Sequence, residues 1–139
     1  MTEHGEVLAG RFKLVAPLGE GGMGTVWRAE HVELGTEVAV KLMSKGVADS
    51  DSALSRFKRE AKAAATLASS HVVQIFDYGV HEGSPYIAME LLEGESLADR
   101  LELRRTIAPE LLARVLTHVG RAINKAHKAG ILHRDLKPD

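Results

Sequence analysis

Apolar and polar residues alternate along Arg11-Phe12-Lys13-Leu14-Val15, which predicts a strand with one buried face. Pro17, just beyond, brings no N–H to a ladder and fits only an edge or an irregular strand end. Trp27 to Glu30 predicts a second strand, Glu33-Leu34-Gly35-Thr36 a turn, and Glu37 to Leu42 a third strand. Links this short predict an antiparallel meander. Residues 1–9 show no period and are expected to be a loose tail.

The period then lengthens. Gly46 to Ser52 is polar and reads as a loop, with Ser52 or a polar neighbour capping a helix. Phe57, Ala61, Ala64 and Ala68 follow at helical spacing, with Leu67 beside them. Glu60 lies three residues after Phe57 and leans toward that buried side, where a carboxylate needs a partner. A solvated helix glutamate is the competing reading. Two short strands come next, Val72 to Phe76 and Tyr86 to Glu90, with Asp77-Tyr78-Gly79 and Glu82-Gly83-Ser84-Pro85 read as the turn between them. Leu92 to Ser96 is a connector, and Ser96 is placed to cap a short helix from Leu97 to Leu103. Pro109 suits a first helical turn, and a long helix is predicted from there to about Ala129, ended by Gly130. Its apolar positions are Leu112, Val115, Leu116, Val119, Ala122, Ile123 and Ala126. Strands first and helices last argue for an α+β fold.

The composition narrows the class. With 139 residues, 45% hydrophobic and 27% charged, the chain is long and apolar enough to bury a core. A formal net charge of −1 gives no electrostatic case for nucleic acid. There is no cysteine, which excludes disulfides and thiolate metal sites. The longest charge-free run, residues 63–76, is too short and too polar to span a membrane. Met1 to Glu6 lacks a basic region and an apolar core, so no secretory leader is expected and a cytoplasmic location is.

The candidate chemistry begins at Leu18-Gly19-Glu20-Gly21-Gly22-Met23-Gly24-Thr25-Val26-Trp27. Gly19, Gly21 and Gly24 fit G-x-G-x-x-G, and Val26 extends the pattern. Glycine lets the backbone approach a phosphate with no Cβ in the way. A P-loop would need Lys-Ser or Lys-Thr after the last glycine, and Thr25-Val26 stands there instead. A dinucleotide fold would need the glycines to open a helix, yet Thr25 to Ala29 is β-branched and aromatic. A third reading is a hairpin turn over phosphates with a lysine on the next strand. Val38-Ala39-Val40-Lys41 supplies that lysine 17 residues beyond Gly24. The bland alternative is a glycine-rich turn beside an ordinary surface lysine.

The last residues, His133-Arg134-Asp135-Leu136-Lys137-Pro138-Asp139, decide between them. They follow a long helix and lie about 75 residues beyond Glu60. Together with Gly19 to Val26, Val38 to Lys41 and Glu60, in that order, they make the chain resemble the N-terminal half of a protein kinase of the eukaryotic-like, bacterial-type serine/threonine class. The resemblance runs from about Phe12 to Asp139, and Lys137 is the mark of the serine/threonine class.

The resemblance implies a kinase-like α+β fold. A five-stranded antiparallel N-lobe sheet with one long helix spans 11–91, after a tail at 1–10. A hinge and the first helices of an incomplete C-lobe span 92–139. It also implies roles. Gly19, Glu20, Gly21, Gly22, Met23 and Gly24 cover the ATP phosphates, and Lys41 bridges them, held by an ion pair with Glu60. Leu18, Val26 and Ala39 wall the adenine, Met89 stands behind it, and backbone groups of Glu90 and Leu92 bond its edge. Glu95 is a weaker candidate for the ribose. Asp135 accepts the substrate hydroxyl's proton, Lys137 adds positive charge near the phosphoryl group, and His133 braces the segment. ATP, Mg²⁺ and a protein carrying serine or threonine are the implied cofactors and partner. The family's magnesium-holding Asn falls four residues beyond Leu136, and Asp139 is the last residue here. The expectation is therefore a kinase fragment cut within the catalytic loop and inactive alone. The alternative is a non-catalytic nucleotide-binding or interaction module derived from a kinase.

Overall fold

A computed structural model describes residues 3–21, 24–43 and 51–138. The elements in order are β1 (Val7–Leu8), β2 (Phe12–Gly21), β3 (Gly24–His31), β4 (Glu37–Met43), α1 (Asp51–Ala65), β5 (Ile75–His81), β6 (Ser84–Met89), α2 (Leu97–Arg104) and α3 (Pro109–Lys128). The α+β class is as expected. The described residues divide into two compact units, Met1–Thr66 with Gln74–Leu92, and Leu67–Val73 with Glu93–Asp139.

The first unit is an antiparallel sheet of six strands in the order β1-β2-β3-β4-β6-β5. The sequence predicts five strands, and the sixth is β1, inside the expected tail. Leu8 explains it: its side chain is 1% exposed, and such burial stabilises by about 1.5–3 kcal/mol. Backbone bonds from Gly5 N–H to Leu14 O (2.8 Å) and from Leu14 N–H to Glu6 O (2.9 Å) hold the segment against β2. The predicted meander is present as β2-β3-β4; α1 then intervenes, and the chain returns with β5 on the edge and β6 inside.

Strand alternation builds the core. Leu8, Phe12, Leu14, Trp27, Ala29, Val38, Val40, Leu42, Tyr86 and Ala88 form one buried cluster. The cluster takes alternate residues of each strand, Trp27 and Ala29 of β3, Val38, Val40 and Leu42 of β4, and Tyr86 and Ala88 of β6, and the residues between belong to the opposite face. The ring of Phe12 meets those of His31 and Tyr86 edge-on, at 5.3 and 6.0 Å between centroids. Pro17 lies within β2 rather than at its end. It sits between two register shifts, after Leu14 and before Gly19, where a missing N–H is tolerated.

The fourth predicted strand is displaced. Val72 and Val73 are β-branched but lie outside β5, and Asp77-Tyr78-Gly79 is strand rather than turn. Tyr86 accounts for Gly79 there: a Cβ on Gly79 would stand 2.9 Å from the Tyr86 ring. Asp77 is fastened by Arg11, whose guanidinium lies 2.7 Å from the carboxylate and 3.2 Å from the Tyr86 hydroxyl. The turn is only Glu82-Gly83, closed by the pairing of His81 with Ser84.

α1 begins at Asp51, so Ser52 lies within the helix and not at its cap. The rest of the predicted loop, Gly46 to Ser50, lies outside the described residues. Phe57 and Ala61 are its buried pair, with Leu54 and Ala64 half-buried on the same stripe. In the second unit, α2 is capped as the sequence predicts. Ser96 Oγ accepts the Asp99 N–H at 3.0 Å while the Asp99 carboxylate accepts the Ser96 N–H at 3.3 Å. α3 has Pro109 at its first turn and Gly130, at φ 76°, just past its end. No helix among the described residues is long and apolar enough to cross a membrane.

Candidate functional site

The face of the sheet opposite the core cluster carries Val26, Ala39, Lys41 and Met89, and strand register sets them side by side. Val26 on β3 pairs with Lys41 on β4, and Lys41 pairs with Ile87 on β6. One row along, Ala39 pairs with Met89. Direct antiparallel partners point to the same side, so Lys41 rises between Val26 and Ile87, with Ala39 and Met89 in the adjoining row. Ala39 is buried, while Val26, Lys41 and Met89 are half-buried. Core and candidate site are thus the two faces of one strand: Val38, Val40 and Leu42 one way, Ala39 and Lys41 the other.

The glycine turn joins β2 to β3, where Gly21 pairs with Gly24. Gly22 and Met23, between them in sequence, lie outside the described residues. Gly24 is dictated by the fold: its φ is 134°, and a Cβ would come within 1.9 Å of the Leu42 carbonyl oxygen. Gly19 meets no such restraint, since a Cβ there would have nothing within 4 Å. Leu18 and Glu20 are exposed on either side of it.

At the end of β6, Glu90 is partly occupied. Its N–H donates to the Gln74 carbonyl at 2.9 Å and its carboxylate accepts the Gln74 N–H at 3.2 Å. The Leu92 N–H has no hydrogen-bond partner among the described residues. Glu95 is engaged by Arg100 at 3.2 Å.

Glu60 is exposed and forms no ion pair with Lys41. The buried stripe of α1 runs through Leu54, Phe57, Ala61 and Ala64, and Glu60 sits on its rim. Spacing from Phe57 alone does not reveal which flank of the stripe turns inward.

In the second unit, residues 131–138 have neither helix nor strand and are exposed apart from a half-buried Ile131. Arg134 adopts φ 64°, a left-handed conformation that costs a non-glycine residue about 1–3 kcal/mol. The Asp135 N–H donates to His133 Nδ1 at 3.3 Å. Sequence reasoning misses the fastening of this segment: the Ala98 N–H donates to the Pro138 carbonyl at 2.9 Å. Ser96-x-x-Asp99 signals the cap, but nothing in the sequence signals the partner.

Among the described residues one group gathers potential metal ligands, Glu6, His81 and Glu82, with ligand atoms within 4.8 Å of one another. The imidazole is already committed. His81 Nδ1 accepts the Ala9 N–H at 3.2 Å, so the neutral ring carries its proton on Nε2, 3.5 Å from the Glu6 carboxylate. No ring lone pair is left for a cation, and the group reads as a tie between β1 and β5.

Comparison with known proteins places these features in context. The protein kinase domain model matches residues 12–139. The chain is 34% identical over 141 residues to the probable serine/threonine-protein kinase pknA2 of Bifidobacterium longum, covering 99% of this chain and 19% of that protein. It is 39% identical over 133 residues to the serine/threonine-protein kinase Pkn1 of Myxococcus xanthus, covering 96% and 19%. Among solved structures, the kinase domain of Mycobacterium tuberculosis PknI superposes with a TM-score of 0.90 at 30% identity, over 99% of this chain and 55% of that one. The chain thus spans about a fifth of these curated relatives and about half of that kinase domain.

Proposed function

The chain belongs to the protein kinase domain family, and from that premise we propose that it supplies the nucleotide-binding half of an enzyme that transfers the ATP γ-phosphoryl group to a serine or threonine hydroxyl. The observation that carries this reading is the strand face on which Val26, Ala39, Ile87 and Met89 surround Lys41. A flat aromatic base finds apolar walls there, and a triphosphate finds a cation. Gly19, which the fold itself does not require, leaves backbone open to approach by phosphate oxygens. The Glu90 carbonyl and the unpartnered Leu92 N–H are the groups left for the edge of the base.

In this reading Lys41 neutralises phosphate charge, Asp135 orients the attacking hydroxyl and accepts its proton, and Lys137 stabilises charge on the phosphoryl group. Glu60 holds Lys41 only after α1 turns its rim toward β4, because the two are not paired in this structure. Mg²⁺ is a different matter. Among the described residues no set of carboxylates gathers around Asp135, and Glu6, His81 and Glu82 do not suit the ion. A cytoplasmic location, where ATP is abundant, belongs to the same reading.

The test is Lys41→Met in the full-length protein. The fold should survive, because a half-buried lysine on the non-core face carries little packing. Phosphoryl transfer should fall by at least ~10²-fold, as expected for losing a preorganised electrostatic contact. Near-normal turnover would remove Lys41 from the mechanism. The unpaired Lys41 and Glu60 favour one second reading, a nucleotide-binding or interaction module without catalysis. Saturable ATP binding with no transfer in the full-length protein would establish it.

A further inference from the structure

Residues 131–138 hold both groups assigned above to the transfer step, Asp135 and Lys137, with no regular structure of their own. The segment is fastened at each end. At its start, the Gly130 and Ile131 N–H groups donate to the His127 and Ala126 carbonyls of α3, at 3.0 and 2.9 Å. At its finish, the Ala98 N–H of α2 donates to the Pro138 carbonyl at 2.9 Å. Between these ties lies Arg134 at φ 64°, a conformation that persists only where its surroundings impose it.

The donors of the first turn of α2 explain why Ala98 is free to reach outward. The first turn of any helix has N–H groups without an intrahelical acceptor. The capping box uses the Asp99 N–H on Ser96 Oγ and the Ser96 N–H on Asp99 Oδ2. The Arg100 N–H closes the first helical bond, onto the Ser96 carbonyl at 3.1 Å. The Leu97 and Ala98 N–H groups are left over, aligned with the positive end of the helix; a carbonyl oxygen is their natural partner, and Ala98 is the one that finds it.

We propose that the first turn of α2 is a positioning element for the catalytic segment: the Ala98 N–H, aimed by the Ser96–Asp99 capping box, fixes the Lys137–Pro138 end so that Asp135 and Lys137 keep their places. The proposal rests on the kinase reading above. Displacing a reacting group by about 1 Å can cost on the order of 10²-fold in rate.

Ala98→Pro in the full-length protein is the decisive variant. Proline is tolerated in a first helical turn, where no intrahelical bond is lost, so the donor goes while the helix stays. Ala98→Gly keeps the donor and serves as the rescue. Two readouts are taken: amide exchange of the peptide covering residues 131–138, and kcat per ATP-binding site with the KM for ATP. Ala98→Pro should exchange faster there and lose about tenfold or more in kcat, with KM for ATP little changed, and Ala98→Gly should match the wild type in both. Ser96→Ala, which loosens the cap, should move both readouts the same way by less. Unchanged exchange in Ala98→Pro overturns the tether, and faster exchange with unchanged kcat overturns its catalytic role. A wild-type protein that binds ATP but transfers nothing overturns the kinase reading and the catalytic role with it, while the exchange result still decides the tether.

Discussion

Gly19 and Gly24 belong to one motif in the sequence and to two different physical problems in the structure. Gly24 is where β3 passes so close to β4 that a side chain would strike the Leu42 carbonyl, and its φ of 134° excludes other residues as well. Gly24→Ala should therefore destabilise the protein by about 2 kcal/mol or more, the sum expected for backbone strain and a forced shift. Gly19→Ala should change stability by less than about 1 kcal/mol and weaken ATP binding instead. Urea midpoints and ATP titrations of the two variants separate them. Equal loss of stability in both would mean that Gly19 too is a folding glycine. The motif was legible from spacing alone, but this division was not, because it depends on how near β4 comes. Glu60 teaches the same lesson: the wheel put it beside Phe57, and only the position of Leu54 and Ala64 shows which flank faces inward.

Elements with long, regular periods were the legible ones. α3 runs from Pro109 to Lys128 and ends beside Gly130, as its apolar spacing and Pro109 imply. β5 was not legible, because Gly79 looks like a turn former until Tyr86 is seen against it. The strip of chain before β5 is also tied to α3 in a way spacing cannot show. His71 stacks on His118 at 4.3 Å between ring centroids, and Lys125 Nζ donates to the Ala68 carbonyl. His118 stays exposed, yet its pKa is lowered from 6.5, first by the partial loss of hydration and then by the charges of His71, Arg121 and Arg114. A histidine with a depressed folded-state pKa takes up its proton more readily when unfolded, so this contact loses stability as pH falls through about 6.5. His118→Gln should flatten the decline in Tm between about pH 7 and pH 5. An acid limb identical to that of the wild type would show that the stacked pair has no part in it.

For the molecule as a whole, the sheet unit holds the large buried core, and the second unit has little of its own: Ala126 is the one buried residue of α3 among those described. Leu112, Leu116 and Val119 on the same helix are 42%, 62% and 39% exposed. Apolar side chains gathered on one surface favour association. These 139 residues expressed alone should therefore self-associate, and Leu116→Glu should shift the distribution toward monomer in size-exclusion chromatography. A monodisperse wild-type monomer would overturn that expectation. Fold class and family could be read before any coordinates, because glycines, lysine and the His-Arg-Asp segment stand in fixed order. The absence of a Lys41–Glu60 ion pair could not, since it depends on where α1 places Glu60 and not on composition.

The alternation of β4 has a consequence for heredity. Its seven residues carry hydrophobic burial on one alternate set, Val38, Val40 and Leu42, and the candidate-site residues Ala39 and Lys41 on the set between. A substitution alters one letter of one message. A one-codon insertion or deletion inside the strand exchanges the two messages, sending a lysine toward the core and valines toward the opposite face. A point change at Ala39 or Lys41 thus alters one face alone, while a change of length in β4 disturbs both faces together.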